Sequence, residues 1–521
     1  MGFSYAMRRP FAIIVAVLVG MSSANWSFAE KPNIILIMAD DLGYGDLSCY
    51  GATAFMTPNI DRLAAEGRRF TSGYCSASTC TPTRYSLLTG TYAFRQKGTG
   101  IAPPNSPLIV PEGAYTLADV MKDAGYQTAV IGKWHLGLGG KKGPDWNGEL
   151  FPGPRELGFD YHFLLPTTND RVPQVFVENR RVLNLDRNDP LWVGEKKPTV
   201  DHPTGITHRE TLKMNWSHGH NGTIHNGISR IGFYTGGNAA RFRDEDLADR
   251  WVEKSIKWIE SNRDQPFFLF FASHDLHVPR IPHERFQGVT PLGFRADSIV
   301  QFDWCVGELT KTLDRLGIAE NTLIVLCSDN GPVMDDGYQD FALEKRGDHL
   351  ASGPFRGGKY SIYEGGTRTP LITRWKGKIK SGLSDEVVCT IDFAASFAGL
   401  TGVKLPNDAC LDSFGLIDAM MGKPEGKGRK HLIQQDNGQA GNFGFRVGSW
   451  KLQRHDSART RNLKVEKQLE DSKVPTFQLF DLSQDPGESK NVLAEFPAVA
   501  ERLKLQLAGL IEAGRTRKSS E

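Results

Sequence analysis

The sequence predicts an α/β fold: one large mixed, mostly parallel sheet sandwiched by helices, followed by a smaller C-terminal α+β unit of about four antiparallel strands and one helix. Three observations carry this reading. Continuous apolar runs, Ile34-Ile35-Leu36-Ile37-Met38 and Phe267-Phe268-Leu269-Phe270-Phe271, have the length and two-sided hydrophobicity of buried parallel strands. Segments with apolar residues at helical spacing lie between such runs. Beyond about residue 425 the texture changes to a basic, glycine-rich linker (422–430) and then short strand-like runs.

The chain has 521 residues, enough for a large domain (30–425) and a small one (426–521). Residues 1–29 read apart from both. Arg8 and Arg9 precede a short apolar run over 11–19, and Ser27-Phe28-Ala29 offers small residues at cleavage spacing. That is a secretory signal peptide, too short in its apolar part to span a bilayer. The expectation is an exported protein, periplasmic or secreted, with no stable membrane insertion once the leader is removed. Lys plus Arg number 62 and Asp plus Glu 60, a net charge of +2 that gives no electrostatic case for nucleic acid. Export permits disulfides. Cys389 and Cys410 are candidates to pair, though spacing alone leaves this open, while Cys305 and Cys327 read as core residues.

Taken in order, the run over 33–39 ends in Asp40-Asp41. In open α/β sheets ligands bind beyond the carboxyl ends of strands, and two adjacent carboxylates there repel unless a cation lies between them. Helices are expected over 59–66 and 116–124, the second with Leu117, Val120, Met121 and Ala124 on one face. The next strand, 127–131, runs into Gly132-Lys133-Trp134-His135-Leu136-Gly137, where Lys133 offers charge to an oxyanion and His135 a proton relay. Residues 140–240 lack periodicity but carry aromatics, which argues for a substrate-facing insertion over disorder. Within it, His218, His220 and His225 have no acidic or cysteine partner at ligand spacing, so they read as pocket-lining or structural side chains rather than metal ligands.

A helix over 244–261 and a strand over 267–271 lead to Ala272-Ser273-His274-Asp275-Leu276-His277-Val278-Pro279. A long helix over 296–316 precedes the strand 322–327, which ends in Ser328-Asp329-Asn330-Gly331-Pro332, a second pair of oxygen ligands at a strand end. Two such pairs in one chain are far less expected by chance than one. Arg356-Gly357-Gly358-Lys359 then presents a second lysine on a glycine-rich loop. The C-terminal unit is expected to contain antiparallel strands over 443–453 and 477–482 and a helix over 498–513.

One stretch remains, Cys80-Thr81-Pro82-Thr83-Arg84-Tyr85-Ser86-Leu87-Leu88-Thr89-Gly90. Pro82 suits a first helical position and Gly90 a helix end, which puts Cys80 just before the helix, among free N–H groups that favour a low thiol pKa. The stretch resembles the sulfatase signature, Cys-x-Pro-x-Arg followed by Leu-Thr-Gly, and the resemblance extends from about residue 31 to about 492. It implies an alkaline-phosphatase-like fold and oxidation of Cys80 by a formylglycine-generating enzyme to formylglycine (3-oxoalanine), whose hydrate is the nucleophile.

It further implies a Ca²⁺ site, with Mg²⁺ second, formed by Asp40, Asp41, residue 80, Asp329 and Asn330, an all-oxygen set suited to a hard cation. Arg84 would orient the nucleophile, and Lys133 and Lys359 would hold the sulfuryl oxygens. His277, two residues before Pro279, would protonate the leaving oxygen, with His274 the competing choice. His135 would take the proton from the hydrate, and Thr168 falls where some sulfatases place a hydroxyl on the sulfate. Asp170-Arg171-Val172-Pro173 and the segment 226–232 look like those of bacterial sulfatases acting on sulfated glycans, so the expected partner is a sulfated carbohydrate or an aryl sulfate. Two rival readings are a phosphomonoesterase or phosphodiesterase of the same superfamily and a catalytically inactive glycan-binding relative.

Overall fold

The computed structural model describes residues 1–3, 31–436, 442–455 and 474–518; beyond its first three residues, the expected signal peptide lies outside them. No helix among the described residues is long and apolar enough to cross a membrane.

Ten strands form the main sheet: β1 (Asn33–Ala39), β2 (Arg68–Phe70), β3 (Gln127–Lys133), β4 (Tyr161–Leu165), β5 (Val177–Glu178), β6 (Arg181–Val182), β7 (Phe267–Ala272), β8 (Thr322–Ser328), β9 (Leu371–Arg374) and β10 (Gly382–Ser384). Their order is β10-β2-β9-β8-β1-β7-β3-β4-β5-β6. The central five, β8-β1-β7-β3-β4, are parallel, while β9 on one side and β5 on the other run antiparallel to their inner neighbours. β1 lies at the centre, with Ile35 opposite Leu269 on one side and Ile324 on the other.

The period-two alternation of β1 splits its side chains between two cores. Ile34, Leu36 and Met38 pack against α2 (Cys80–Thr89), α3 (Leu117–Asp123) and α6 (Phe393–Thr401). Ile35, Ile37 and Ala39 pack against α1 (Pro58–Glu66), α4 (Leu247–Asn262) and α5 (Phe294–Arg315). This two-sided burial explains the uninterrupted apolar runs. The start of α3 is fixed by a capping box in which the Thr116 hydroxyl accepts from the Ala118 and Asp119 amides and the Asp119 side chain accepts from the Thr116 amide.

Beyond the main sheet, β11 (His431–Gln435), β12 (Phe443–Val447), β13 (Trp450–Arg454) and β14 (Phe477–Asp481) form an antiparallel sheet in chain order. Helix α7 (Pro497–Glu512) lays Ala500, Leu503 and Leu507 on it. The same hydrophobic cluster contains Tyr74, Tyr92, Cys389 and Ile391, so the small sheet packs on segments of the larger domain through a core of its own, apart from the two that flank the main sheet.

The open question of a Cys389–Cys410 disulfide is answered in the negative. All seven cysteines are unbridged. Cys389 belongs to the cluster under the small sheet and Cys410 to the one between the main sheet and its α2–α3–α6 face, so the two thiols serve separate cores.

Candidate active site

Because β1, β3, β7 and β8 are parallel neighbours, the residues beyond their carboxyl ends emerge together at one edge of the sheet. Asp40-Asp41, Lys133 to His135, Ser273 to His277 and Asp329-Asn330 meet there, and the start of α2 faces them. The helix begins at Cys80, with Thr79 at its N-cap, so Pro82 is the third helical residue and not the first. Gly90 ends the helix in the left-handed conformation, as expected.

The expectation of a low thiol pKa for Cys80 is also corrected. Its side chain is buried. Burial pushes its thiol pKa up, with Asp329 and Asp40 adding to the rise, and Lys133 and Lys359 only partly oppose it. As a free thiol it would therefore be a poor nucleophile at neutral pH.

Arg84 turns back one helical turn to bind Asp329 Oδ2 through Nε (3.0 Å) and Nη2 (2.9 Å) and to approach Asp40 Oδ2 at 3.5 Å; its Nη1 donates to the Lys133 carbonyl at 2.9 Å. Lys133 Nζ is paired with Asp40. Lys359 Nζ lies 2.9 Å from both Asp41 Oδ2 and Asp336 Oδ2. Asn330 donates Nδ2 to Asp41 Oδ1 at 2.7 Å.

This buried group holds four carboxylates (Asp40, Asp41, Asp329, Asp336) and three fixed cations (Arg84, Lys133, Lys359). One negative charge is left over, and a divalent ion would turn it into one positive charge, as an anionic ester requires. Two observations fit such an ion. Asp40 Oδ1 and Asn330 Oδ1 are buried with no hydrogen-bond partner, a costly state unless something binds them. Burial, with Asp329 beside it, pushes the Asp40 carboxyl up to about 8, so the bare cluster resists full ionisation. The donors are carboxylate and amide oxygens, which suit Ca²⁺ or Mg²⁺. Oxygens of Asp40 and Asp41 and one ring nitrogen of His277 lie within 4.8 Å of one another, so this histidine borders the cluster.

His135, with φ +54°, places Nδ1 3.2 Å from Cys80 Sγ and Nε2 3.1 Å from the Ala102 carbonyl. A carbonyl only accepts, so the proton is assigned to Nε2 and Nδ1 faces residue 80 as an acceptor. His277 is arranged in the opposite sense. Its Nδ1 donates to the Val278 carbonyl at 2.7 Å and lies 3.1 Å from Thr168 Oγ1, which assigns the acceptor role to Nε2. Burial lowers both imidazoles well below the ordinary range, followed by Lys133 for each and then Arg171 for His135 and Lys359 for His277.

His274 instead accepts from Trp251 Nε1 at 3.1 Å, on the α4 side of the sheet, and is absent from the pocket lining. Thr168 is buried, with its hydroxyl 3.1 Å from His277 Nδ1, beside the histidine expected to protonate the leaving oxygen.

A small pocket of about 40 Å³ opens above this floor, lined by Cys80, Ile101, Asp170, Arg171, His220, His277, Asp336, Lys359 and Tyr360. Asp170 anchors its wall, taking Arg171 Nη1 at 2.7 Å and His220 Nε2 at 3.0 Å. His220 is thus a pocket residue. His225, bonded to the Phe242 carbonyl at 2.7 Å and to the Tyr234 hydroxyl, is structural. Asp336 and Tyr360 were missed in the sequence. Asp336 sits in a loop without periodicity, and its contacts with Lys359 and the Tyr360 hydroxyl reveal it.

A buried floor of carboxylates and fixed cations beneath a pocket lined with positive groups suits an α/β enzyme acting on anionic esters. Residues 32–403 match the family model described as Sulfatase, and residues 357–513 match that described as N-sulphoglucosamine sulphohydrolase, C-terminal. The chain belongs to the sulfatase family and is a sulfuric ester hydrolase.

It is 46% identical to an N-acetylgalactosamine-6-O-sulfatase of Bacteroides thetaiotaomicron over 96% of this chain and 98% of that one. It is 31% identical to human arylsulfatase A, covering 96% and 91% of the two chains. A solved structure labelled 6S-sulf, from work on the metabolism of multiple glycosaminoglycans by the same bacterium, superposes with a TM-score of 0.89 at 47% identity, covering 92% of this chain and 99% of that one.

Proposed function

We propose that this sulfatase removes sulfate from O-sulfated sugars of sulfated glycans, with 6-sulfated N-acetylgalactosamine or galactose first among them. The observation that carries the reading is the position of Cys80 at the base of a pocket, between Lys359 and two differently wired histidines. The N-acetylgalactosamine-6-O-sulfatase that matches along nearly the whole chain supports the sugar and the carbon.

Oxidised by a maturation enzyme to formylglycine, residue 80 would supply a hydrated aldehyde as nucleophile. Asp40, Asp41, residue 80, Asp329 and Asn330 would hold Ca²⁺, which supplies Lewis-acid polarisation of a sulfate oxygen.

The remaining steps belong to side chains. Lys133 and Lys359 balance the sulfuryl oxygens, as fixed cations do in phosphoryl transfer. Arg84, locked by Asp329, holds the start of α2 and residue 80 in place. His277 delivers a proton from Nε2 to the departing sugar oxygen while Val278 and Thr168 hold its other nitrogen. It is neutral at rest because burial and the lysines disfavour the imidazolium; an incoming sulfate offsets that positive charge and lets it load a proton. His135 accepts a proton from residue 80 through Nδ1, its tautomer set by the Ala102 carbonyl. Export through the N-terminal leader would place the enzyme in the periplasm or outside the cell.

The test combines chemistry and mass. Protein from a host with the maturation enzyme should release sulfate from N-acetylgalactosamine 6-sulfate faster than from the 4-sulfate, and the tryptic peptide ending at Arg84 should carry the mass of formylglycine. A preference for the matching phosphate ester, or release with an unmodified Cys80 peptide, would overturn the reading.

A further inference from the structure

We propose that Glu488 and Lys451 of the C-terminal unit are positioning residues for the active site, holding the loop that carries Lys359 against the Asp329-Asn330-Gly331 strand end. The inference rests on the reading of Lys359 as a sulfate-binding residue.

Lys451, on β13, places Nζ 2.9 Å from Glu364 Oε1 and 3.0 Å from Glu488 Oε1, and none of the three side chains reaches solvent. The second Glu488 oxygen accepts from the Glu364 amide at 2.5 Å, and Gln453 donates to the first at 2.7 Å. The Glu488 carbonyl accepts from Arg356 Nη1 at 3.1 Å. One residue of the C-terminal unit thus grips both ends of segment 356–364, and Lys359 lies between the two grips.

The segment is tied to the floor on its other side. Gly331 donates its amide to the Gly366 carbonyl at 2.9 Å, and the Lys359 amide donates to the Pro332 carbonyl at 2.9 Å. The backbones meet without slack: a Cβ on Gly331 would come within 1.8 Å of the Gly365 carbonyl oxygen. A shift of the 356–366 loop therefore moves both Lys359 and the strand end bearing Asp329 and Asn330.

Two carboxylates and an ammonium removed from water contribute little net stability compared with apolar residues of the same volume. A fully bonded network does hold one geometry. The Arg429–Asp392 pair is equally buried at 2.8 Å, but Asp392 otherwise bonds to the amides of Cys389 and Phe414, away from the 356–366 loop. It supplies the control.

The experiment compares Glu488→Gln with Asp392→Asn in the mature enzyme, using inorganic sulfate as a competitive inhibitor and a sugar sulfate as substrate. Glu488→Gln should raise the sulfate inhibition constant and KM by about tenfold, with a smaller change in kcat. Asp392→Asn should lower the unfolding temperature comparably and leave the sulfate constant unchanged. Equal sulfate constants in the two variants would overturn the positioning role. If Glu488→Gln does not accumulate as folded protein, the charge-balanced Glu488→Gln/Lys451→Met variant is read with the same two outcomes. Lys359→Ala separates the assumptions: if it leaves sulfate inhibition intact, the reading of Lys359 fails and the positioning role falls with it. If it weakens inhibition while Glu488→Gln does not, only the positioning role fails.

Discussion

Asp40, Asp41, Asp329 and Asn330 leave the ends of two hydrogen-bonded parallel strands, Ala39 lying opposite Ser328. Asp170, Arg171, His220, Asp336 and Tyr360 reach the same pocket on loops. The floor inherits its geometry from a backbone ladder and is held to it by the register of the sheet. The wall depends on side-chain and loop contacts: Asp170 with His220 at 3.0 Å, the Tyr338 hydroxyl on the Ser229 carbonyl at 2.7 Å, and the Ser217 amide on the Gly337 carbonyl at 2.9 Å. Such a division lets the chemistry stay constant while loops set the substrate.

The comparison is broken most severely at residue 80. Cys80→Ala should reduce turnover of every sulfate ester by on the order of 10⁴-fold or more, as removal of a nucleophile does elsewhere. Because α2 is anchored by the Leu87 and Leu88 packing, circular dichroism should show the fold retained. Loss of turnover on sugar sulfates alone would place Cys80 in the wall.

His277 stands where floor and wall meet, and the leaving group separates its contributions. A sugar alkoxide needs a proton to depart and a nitrophenolate does not. His277→Ala should cost a sugar sulfate about 10²–10⁴-fold more than an aryl sulfate, the usual span of general acid catalysis. Equal losses on both, with His274→Ala showing the gap instead, would reassign the proton donor.

Removing the proposed cation tests the floor as a unit. Treatment with EDTA should lower both activity and unfolding temperature, because Asp40, Asp41, Asp329 and Asp336 then outnumber Arg84, Lys133 and Lys359 by one negative charge, and Ca²⁺ should restore both. Restoration by zinc alone would contradict the oxygen-donor argument.

A wall substitution should act on binding. His220→Ala removes a partner of Asp170 and should raise KM for a sugar sulfate by about tenfold or more, the scale of one lost charge-assisted hydrogen bond. It should leave nitrophenyl sulfate nearly unaffected. Equal effects on both substrates would mean that the wall also shapes the chemistry.

The smallest expected effect is on stability in mild acid. Burial lowers His162, on the floor strand β4, and His225, in the wall insertion, to about 4. An unfolded histidine titrates near 6.5, so below that value the unfolded chain binds protons the folded one refuses, and stability falls with pH. Each should cost about 2 kcal/mol at pH 5 relative to neutral pH. Calorimetry should show one transition moving to lower temperature; a separate early transition would mean that the wall unfolds independently of the floor.

Much of the floor was legible because its signals are local. A five-residue apolar run followed by Asp-Asp or Ser-Asp-Asn-Gly announces both a strand and the oxygen-bearing side chains at its end. Helix limits were legible to within a residue or two where caps exist, as at Thr116 and Gly90. The start of α2 was misplaced because a proline is tolerated throughout the first helical turn, so Pro82 did not single out its first position.

From the sequence alone came the fold class, the acidic pairs at the strand ends, the Cys-x-Pro-x-Arg stretch and, through its resemblance, the sulfatase family, because each is written in residues adjacent along the chain. Only the tertiary structure decided which histidine faces the pocket, that the Cys80 thiol is buried and raised in pKa, that Asp336 pairs with Lys359, and that Glu488 grips the Lys359 loop from more than a hundred residues away. The physical reason is common to all of these. Burial, charge pairing and tautomer are set by neighbours in space, and the insertion and the C-terminal sheet bring those neighbours from distant parts of the chain.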